Sequence, residues 1–220
     1  MGRHPQVADR RHGKPPQRDR APTFSPDGTV VAVSHYAVGT TLWETTRHTL
    51  LGTLATQGLH GPRVAFSPDG TRLASVNGGH QISLWDVARH TRMASMTTAA
   101  WPQDVAFAPD GRTLIVVEAI NAQRSRITLW DTTRRTRVAT LPGTATWVSR
   151  VRLSPNGKLL AVRDDGGVRL WNLANRQQVA MLPATGTPDY DLTFSPDGHR
   201  LAATGAFEIL LWQLPPRLAG

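Results

Sequence analysis

The sequence predicts an all-β chain made of five repeated four-stranded sheets. Two marks predict it, and each occurs five times. The first is a turn after an apolar residue: Phe24-Ser-Pro-Asp-Gly28, Phe66-Ser-Pro-Asp-Gly70, Phe107-Ala-Pro-Asp-Gly111, Leu153-Ser-Pro-Asn-Gly157 and Phe194-Ser-Pro-Asp-Gly198. The second follows it as Leu42-Trp43-Glu44, Leu84-Trp85-Asp86, Leu129-Trp130-Asp131, Leu170-Trp171-Asn172 and Leu211-Trp212-Gln213. Successive tryptophans stand 42, 45, 41 and 41 residues apart. No segment shows the 3.6-residue apolar period of a helix.

The second repeat shows how each element is read. Val64-Ala65-Phe66 is a short β-prone run. In Ser67-Pro68-Asp69-Gly70 the proline presets φ, the aspartate bonds nearby backbone and the glycine takes a positive φ, so the chain turns. Arg72 to Val76 returns as a second strand, and Asn77-Gly78-Gly79-His80 turns again. Ile82 to Trp85 is the third strand and Arg92 to Met96 the fourth. The repeats fall at about 21–54, 61–96, 102–141, 147–182 and 189–214, behind a basic segment 1–20 and ahead of a tail 215–220. A four-stranded meander every 40–45 residues is the unit of a β-propeller blade. Such a sheet has two apolar faces, and neighbouring sheets must cover both. Phe24, Phe66, Phe107, Leu153 and Phe194 are therefore expected in the core, with Trp43, Trp85, Trp130, Trp171 and Trp212.

The Phe-Ser-Pro-Asp-Gly and Leu-Trp-Asp marks resemble the WD40 repeat family over residues 21–214. TolB-like propellers share the first mark; the Leu-Trp-Asp/Glu/Asn ending favours WD40. The resemblance implies a propeller that binds other proteins without chemistry of its own. Two features depart from the family. Its Gly-His pair should lie about ten residues before the repeated apolar residue, but Thr56-Gln57, Thr97-Thr98, Gly143-Thr144 and Ala184-Thr185 hold those slots. Its aspartate in the second-to-third-strand turn has a counterpart in one repeat, as Asp164 or Asp165. The buried network built on that His and Asp is expected to be absent. The family's usual count is seven blades, and five repeats are present.

Residues 3–8, Arg-His-Pro-Gln-Val-Ala, resemble the start of a fourth strand such as Arg89-His90-Thr91-Arg92-Met93-Ala94. The last repeat has little chain left for its own fourth strand. Three readings stay open: residues 3–8 close a five-blade ring, the chain is part of a longer propeller, or Arg10 to Arg20 is a free basic arm.

The formal charge is +9, with 25 Lys and Arg. Six basic residues and two acids lie in the first 20 positions, so the excess elsewhere is thin. Lys14 and Lys158 are the lysines; the arginine preference, with abundant Ala, Gly, Pro and Thr, reads as the codon bias of a high-GC bacterial genome. Cysteine is absent, which excludes disulfides and thiolate chemistry. No apolar run approaches the length of a membrane-spanning helix. A cytoplasmic protein with no membrane association is the expectation.

No catalytic constellation is found. The eight histidines form no metal-ligand spacing, and there is no nucleophile elbow or phosphate loop. The expectation is a non-enzyme without cofactor or metal, whose partner is a protein. The alternative is nucleic acid or another anion, bound by the basic arm and by Arg124 and Arg126 in a long loop read from Glu118 to Arg126. The candidate binding face collects Trp101, Trp147, Tyr190, Tyr36, His60 and Arg124, since Trp, Tyr and Arg are the usual interface anchors. Three residues before the repeated apolar residue stand Arg63, Asp104, Arg150 and Asp191. Their alternating signs predict ion pairs between adjacent blades.

Overall fold

The computed structural model describes residues 22–35, 39–55, 63–76, 79–141, 148–184, 191–204 and 208–215. The first sheet holds β1 (Thr23–Phe24), β2 (Val30–His35), β3 (Gly39–Glu44) and β4 (Thr49–Leu54). The second holds β5 (Arg63–Phe66), β6 (Arg72–Val76), β7 (Gln81–Asp86) and β8 (Thr91–Thr97). The third holds β9 (Trp101–Phe107), β10 (Thr113–Asn121), β11 (Arg124–Asp131) and β12 (Thr136–Thr140). The fourth holds β13 (Val148–Leu153), β14 (Leu159–Asp164), β15 (Gly167–Asn172) and β16 (Gln177–Leu182). The fifth holds β17 (Leu192–Phe194), β18 (Arg200–Thr204) and β19 (Ile209–Gln213). Each is an antiparallel meander in chain order. The fifth sheet thus has three strands among the described residues, not four; residues 3–8, expected to supply the fourth, lie outside them.

Turn chemistry explains the two sequence marks. In the Ser-Pro-Asp-Gly turn, Ser67 Oγ donates to Asp69 Oδ1 (2.5 Å) and accepts the Arg72 N–H (2.9 Å). Asp69 also accepts from the N–H and hydroxyl of Thr71. Gly70 completes the turn at φ 70°. The residue after each tryptophan caps the next turn. Glu44 accepts the N–H groups of Thr46 and Arg47, Asp86 that of Arg89, Asp131 those of Thr133 and Arg134, and Asn172 those of Ala174 and Asn175. These turns place His48, His90, Arg135 and Arg176 at φ 56–58°, one equivalent left-handed residue in each of the first four blades.

Each complete blade then carries a bulge between its third and fourth strands, beside Trp43, Trp85, Trp130 and Trp171. The fourth strands are largely exposed, so they form the outer rim. A bulged edge is a poor template for pairing with another chain.

The core lies between blades. Ala32, Leu42 and Leu54 of blade one meet Phe66, Leu73 and Trp85 of blade two. Ile82, Leu84 and Met96 meet Phe107, Leu114 and Trp130. Ile127, Leu129 and Leu141 meet Leu160, Val162 and Trp171. Val168 and Leu170 meet Leu192, Leu201 and Trp212. The first strands of successive blades, β1, β5, β9, β13 and β17, touch one after another. No comparable interface joins the fifth blade to the first among the described residues, which form an open arc. One expectation fails there: Phe24, read as core, is 61% exposed, because no sheet among the described residues covers that face. Leu153, Phe194, Trp43 and Trp212 are half-buried.

Candidate functional site: an exposed aromatic surface at the hairpin end

The two ends of the sheets differ in what their polar groups are doing. At one end the acids are held in turns. Ser25 Oγ and the Thr29 N–H hold the Asp27 carboxyl below the usual carboxylate range, and Ser195 Oγ with the His199 N–H does the same for Asp197. Burial alone would raise Asp110; the N–H and hydroxyl of Thr113 outweigh it and lower it. The Arg112 guanidinium, with the Arg134 N–H, brings Asp131 to about 2. These carboxylates are committed to local donors, an arrangement that keeps them ionised rather than poised to exchange a proton near neutral pH.

The opposite end holds the hairpins between second and third strands and the starts of the first strands. Trp101 opens β9 there and is 58% exposed. Its ring meets His80 edge-on, with centroids 6.0 Å apart and planes at 75°. His80 is exposed and left-handed at φ 57°, held by its carbonyl accepting the Thr98 N–H (2.9 Å). Strain of this kind in a non-glycine residue costs on the order of 1–2 kcal/mol. Arg124 is exposed at the tip of the neighbouring hairpin. Tyr36, His60, Trp147 and Tyr190 lie outside the described residues.

The segment from Glu118 to Arg126, expected as a loop, is instead paired strand. β10 runs to Asn121 and β11 starts at Arg124, with Asn121 Oδ1 accepting the Gln123 N–H (3.0 Å) at the tip. The cause is a buried ion pair. Glu118 is inaccessible to solvent and lies directly opposite Arg126, which reaches Oε2 with Nε (3.1 Å) and Nη2 (2.7 Å). Arg126 is therefore engaged with Glu118. The register shift between Ala119 and Asn121 leaves Ile120 half-exposed near the tip.

The same region contains a hydrogen-bond network that motif reading did not find. Thr128 Oγ1 donates to Glu118 Oε1 (2.6 Å) and accepts from Trp130 Nε1 (2.9 Å). Blade one has a shorter version: Trp43 Nε1 donates to Thr41 Oγ1, which also meets His35 Nε2, both at 2.9 Å. In blade two Trp85 Nε1 donates to Ser75 Oγ (2.9 Å). The family-type His and Asp are missing from their slots, but other residues satisfy these indoles. The available signal was a Thr two residues before the tryptophan, at Thr41 and Thr128.

Between blades, Arg150 Nε lies 3.8 Å from Asp191 Oδ1, as the alternating charges predict. Asp104 is reached instead from Arg152, whose Nη1 is 3.8 Å away and whose Nη2 donates to Asp191 (2.9 Å). Asp104 also accepts the Val151 N–H across the blade boundary (3.2 Å). Arg152 was not among the expected partners. It is the charged residue directly before the repeated apolar position, where Thr23, Ala65, Ala106 and Thr193 stand elsewhere. Arg63 opens β5 and is half-buried.

Among the described residues no group of His, Asp and Glu is arranged to hold a metal ion, and no helix is long and apolar enough to cross a membrane.

Five radially neighbouring antiparallel meanders, each covering the next, define a β-propeller architecture. Residues 59–86 and 135–172 match the family described as WD domain, G-beta repeat. Two stretches of the chain thus match the WD40 repeat model, and the five sheets share the propeller architecture. Among solved structures it is similar to Kuenenia stuttgartiensis Hydrazine Synthase, at 24% identity and a TM-score of 0.72. That likeness covers 83% of this chain and 54% of the other, so the chain spans about half the length of that structure. No curated protein matches the sequence.

Proposed function

We propose that this chain is a non-catalytic scaffold that binds a protein partner on the surface around Trp101. The carrying observation is that Trp101 is 58% exposed at the start of an inner strand, although large apolar residues inside the blade interfaces are almost fully covered. His80 buttresses the ring, and Ile120 and Arg124 stand at the adjacent hairpin tip. A rigid aromatic with a basic residue nearby is a common centre for a protein interface. WD40 repeats in general support interaction scaffolds, which agrees with this reading.

The similar solved chain is named as a synthase, but a likeness of fold carries no reaction with it. The non-catalytic reading rests on the use made of the acids: Asp27, Asp69, Asp110 and Asp197 each hold a turn. Arg126 is taken up by Glu118, which weighs against a phosphate-binding loop at this hairpin.

The test is co-purification of wild-type protein and Trp101→Ala from native cells. A hot-spot loss above about 2 kcal/mol corresponds to binding roughly thirtyfold weaker. An unchanged Tm must accompany it. Binding that survives the substitution but disappears with salt or nuclease would replace a protein partner by nucleic acid.

A further inference from the structure

The left-handed residue in the turn between third and fourth strands is basic in all four complete blades: His48, His90, Arg135 and Arg176. Glycine takes this conformation freely, whereas a side chain is strained in it. A codon bias toward arginine does not account for the choice, because glycine codons are as rich in G and C. Strain kept at one position in four blades points to a use for the side chain. Three residues further on, at the matching place in each fourth strand, stand Leu51, Met93, Val138 and Val179, all 37–51% exposed. The segments 45–54, 87–97, 132–140 and 173–182, which form these turns and strands, contain seven arginines, two histidines and no acid. The nearest carboxylates, Glu44, Asp86 and Asp131, are engaged with backbone N–H groups of the turns. Asp86 also takes Arg89, whose side chain stays 79% exposed. Arg47, Arg134, Arg135 and Arg176 make no ion pair among the described residues. The basic row also bridges a blade boundary: the His90 ring lies over β4 of the first blade at Gly52, where a Cβ would come within 2.8 Å of Nδ1.

We propose that this outer rim, a basic turn and an exposed aliphatic repeated from blade to blade, docks an extended acidic segment of a partner protein that intersperses carboxylates with aliphatic side chains. Charge complementarity selects the acid, since guanidinium forks hold carboxylates with two hydrogen bonds. The aliphatics select a protein over single-stranded nucleic acid, because the fourth strands contain no aromatic ring on which bases would stack. The occupant is a narrow chain and not a broad anionic surface. Asp27, Asp69, Asp110 and Asp197 lie at the same end of the blades, nearer the inner strands, and their turn donors keep them ionised. A flat anionic sheet laid on that end would meet them, whereas a chain that follows the rim passes outside them. Trp101 stands at the opposite end of its blade, so the two surfaces are separate.

The experiment uses the full chain and a fluorescein-labelled peptide of repeated Asp-Glu-Leu-Ser, read by fluorescence anisotropy. A version with serine in place of leucine and a labelled oligo(dT) are the comparison probes. The leucine peptide is expected to bind at least about tenfold more tightly than either. Arg135→Gly/Arg176→Gly should weaken it at least about tenfold, with no fall in Tm because glycine relieves the strain. Val138→Ser/Val179→Ser should bring it toward the affinity of the serine peptide. Trp101→Ala should leave it unchanged, so this proposal and the reading centred on Trp101 fail separately. No binding of the leucine peptide overturns the proposal. So does oligo(dT) that binds as tightly with the same dependence on Arg135 and Arg176, since the rim is then a nucleic-acid surface. So does a lowered Tm in Arg135→Gly/Arg176→Gly, since these side chains are then struts that hold the blades.

Discussion

Replacing Glu118 tests whether the third blade is held by its buried polar network. Glu118 accepts two hydrogen bonds from Arg126 and one from Thr128, which in turn satisfies the Trp130 indole. Glu118→Ala removes all three acceptor contacts at a site closed to solvent. Breaking a buried pair by removing one partner costs about 3–5 kcal/mol. Arg126 is still 24% exposed at its side chain and can turn toward water, which lowers that cost. Thr128 still accepts from the Trp130 indole, but its hydroxyl is left to donate over a long 3.4 Å to the Val116 carbonyl. A loss of about 2–4 kcal/mol follows, with Glu118→Gln losing less because it retains an acceptor. Urea unfolding followed by tryptophan fluorescence measures it as a fall in the midpoint at constant slope. An Arg126→Ala/Glu118→Ala double variant should be less destabilised than the sum of the singles. A Glu118→Ala loss below about 0.5 kcal/mol, the range of ordinary surface substitutions, would show that the network carries no weight.

Other outcomes follow from the turns and boundaries. Gly157→Ala places a Cβ 2.1 Å from the Pro109 ring of the preceding blade, at φ +69°, so the variant should lose at least about 2 kcal/mol in the same assay. Gly28→Ala meets nothing within 4 Å and should show only the backbone strain of φ +71°, about 1–2 kcal/mol. The turn carboxylates Asp27, Asp69, Asp110, Asp131 and Asp197 have folded values below their ordinary ones, so the stability they give is present above the unfolded value near 4 and is lost as pH falls through their lowered folded values, which for Asp131 lies at about 2. Thermal melts across that window should fall with pH, and Asp131→Asn should flatten the slope. Arg152→Ala, which removes the cation that reaches both Asp104 and Asp191, should destabilise more than Arg150→Ala when their melts are compared.

The repeat was legible because each mark is local chemistry. Asp69 closes its own turn and Asp86 caps the next one, so both appear in sequence wherever the turn recurs. The four strands of the second blade lie within about a residue of their predicted bounds for the same reason. What was not legible depends on contacts across the sheet or between blades. Glu118 in a β-prone stretch looks like a loop residue until Arg126 is seen opposite it. Arg152 joins two carboxylates that are 48 and 39 positions away in the chain, a relation that no single repeat contains. The exposure of Phe24 depends on what packs beside its sheet, and its own turn is like the others. Of the candidate face, Trp101 and Arg124 lie at one end of blade three, whereas Tyr36, His60, Trp147 and Tyr190 fall outside the described residues.

The central claim is that the Trp101 surface receives a protein. A photo-crosslinking residue placed at position 120, beside the intact Trp101, and separately at the exposed rim residue Val138, tests it most directly in living cells. The account predicts a discrete protein adduct from position 120 that position 138 does not give and that Trp101→Ala abolishes. Identical adducts from both positions, adducts to nucleic acid alone, or no adduct from position 120 would contradict it.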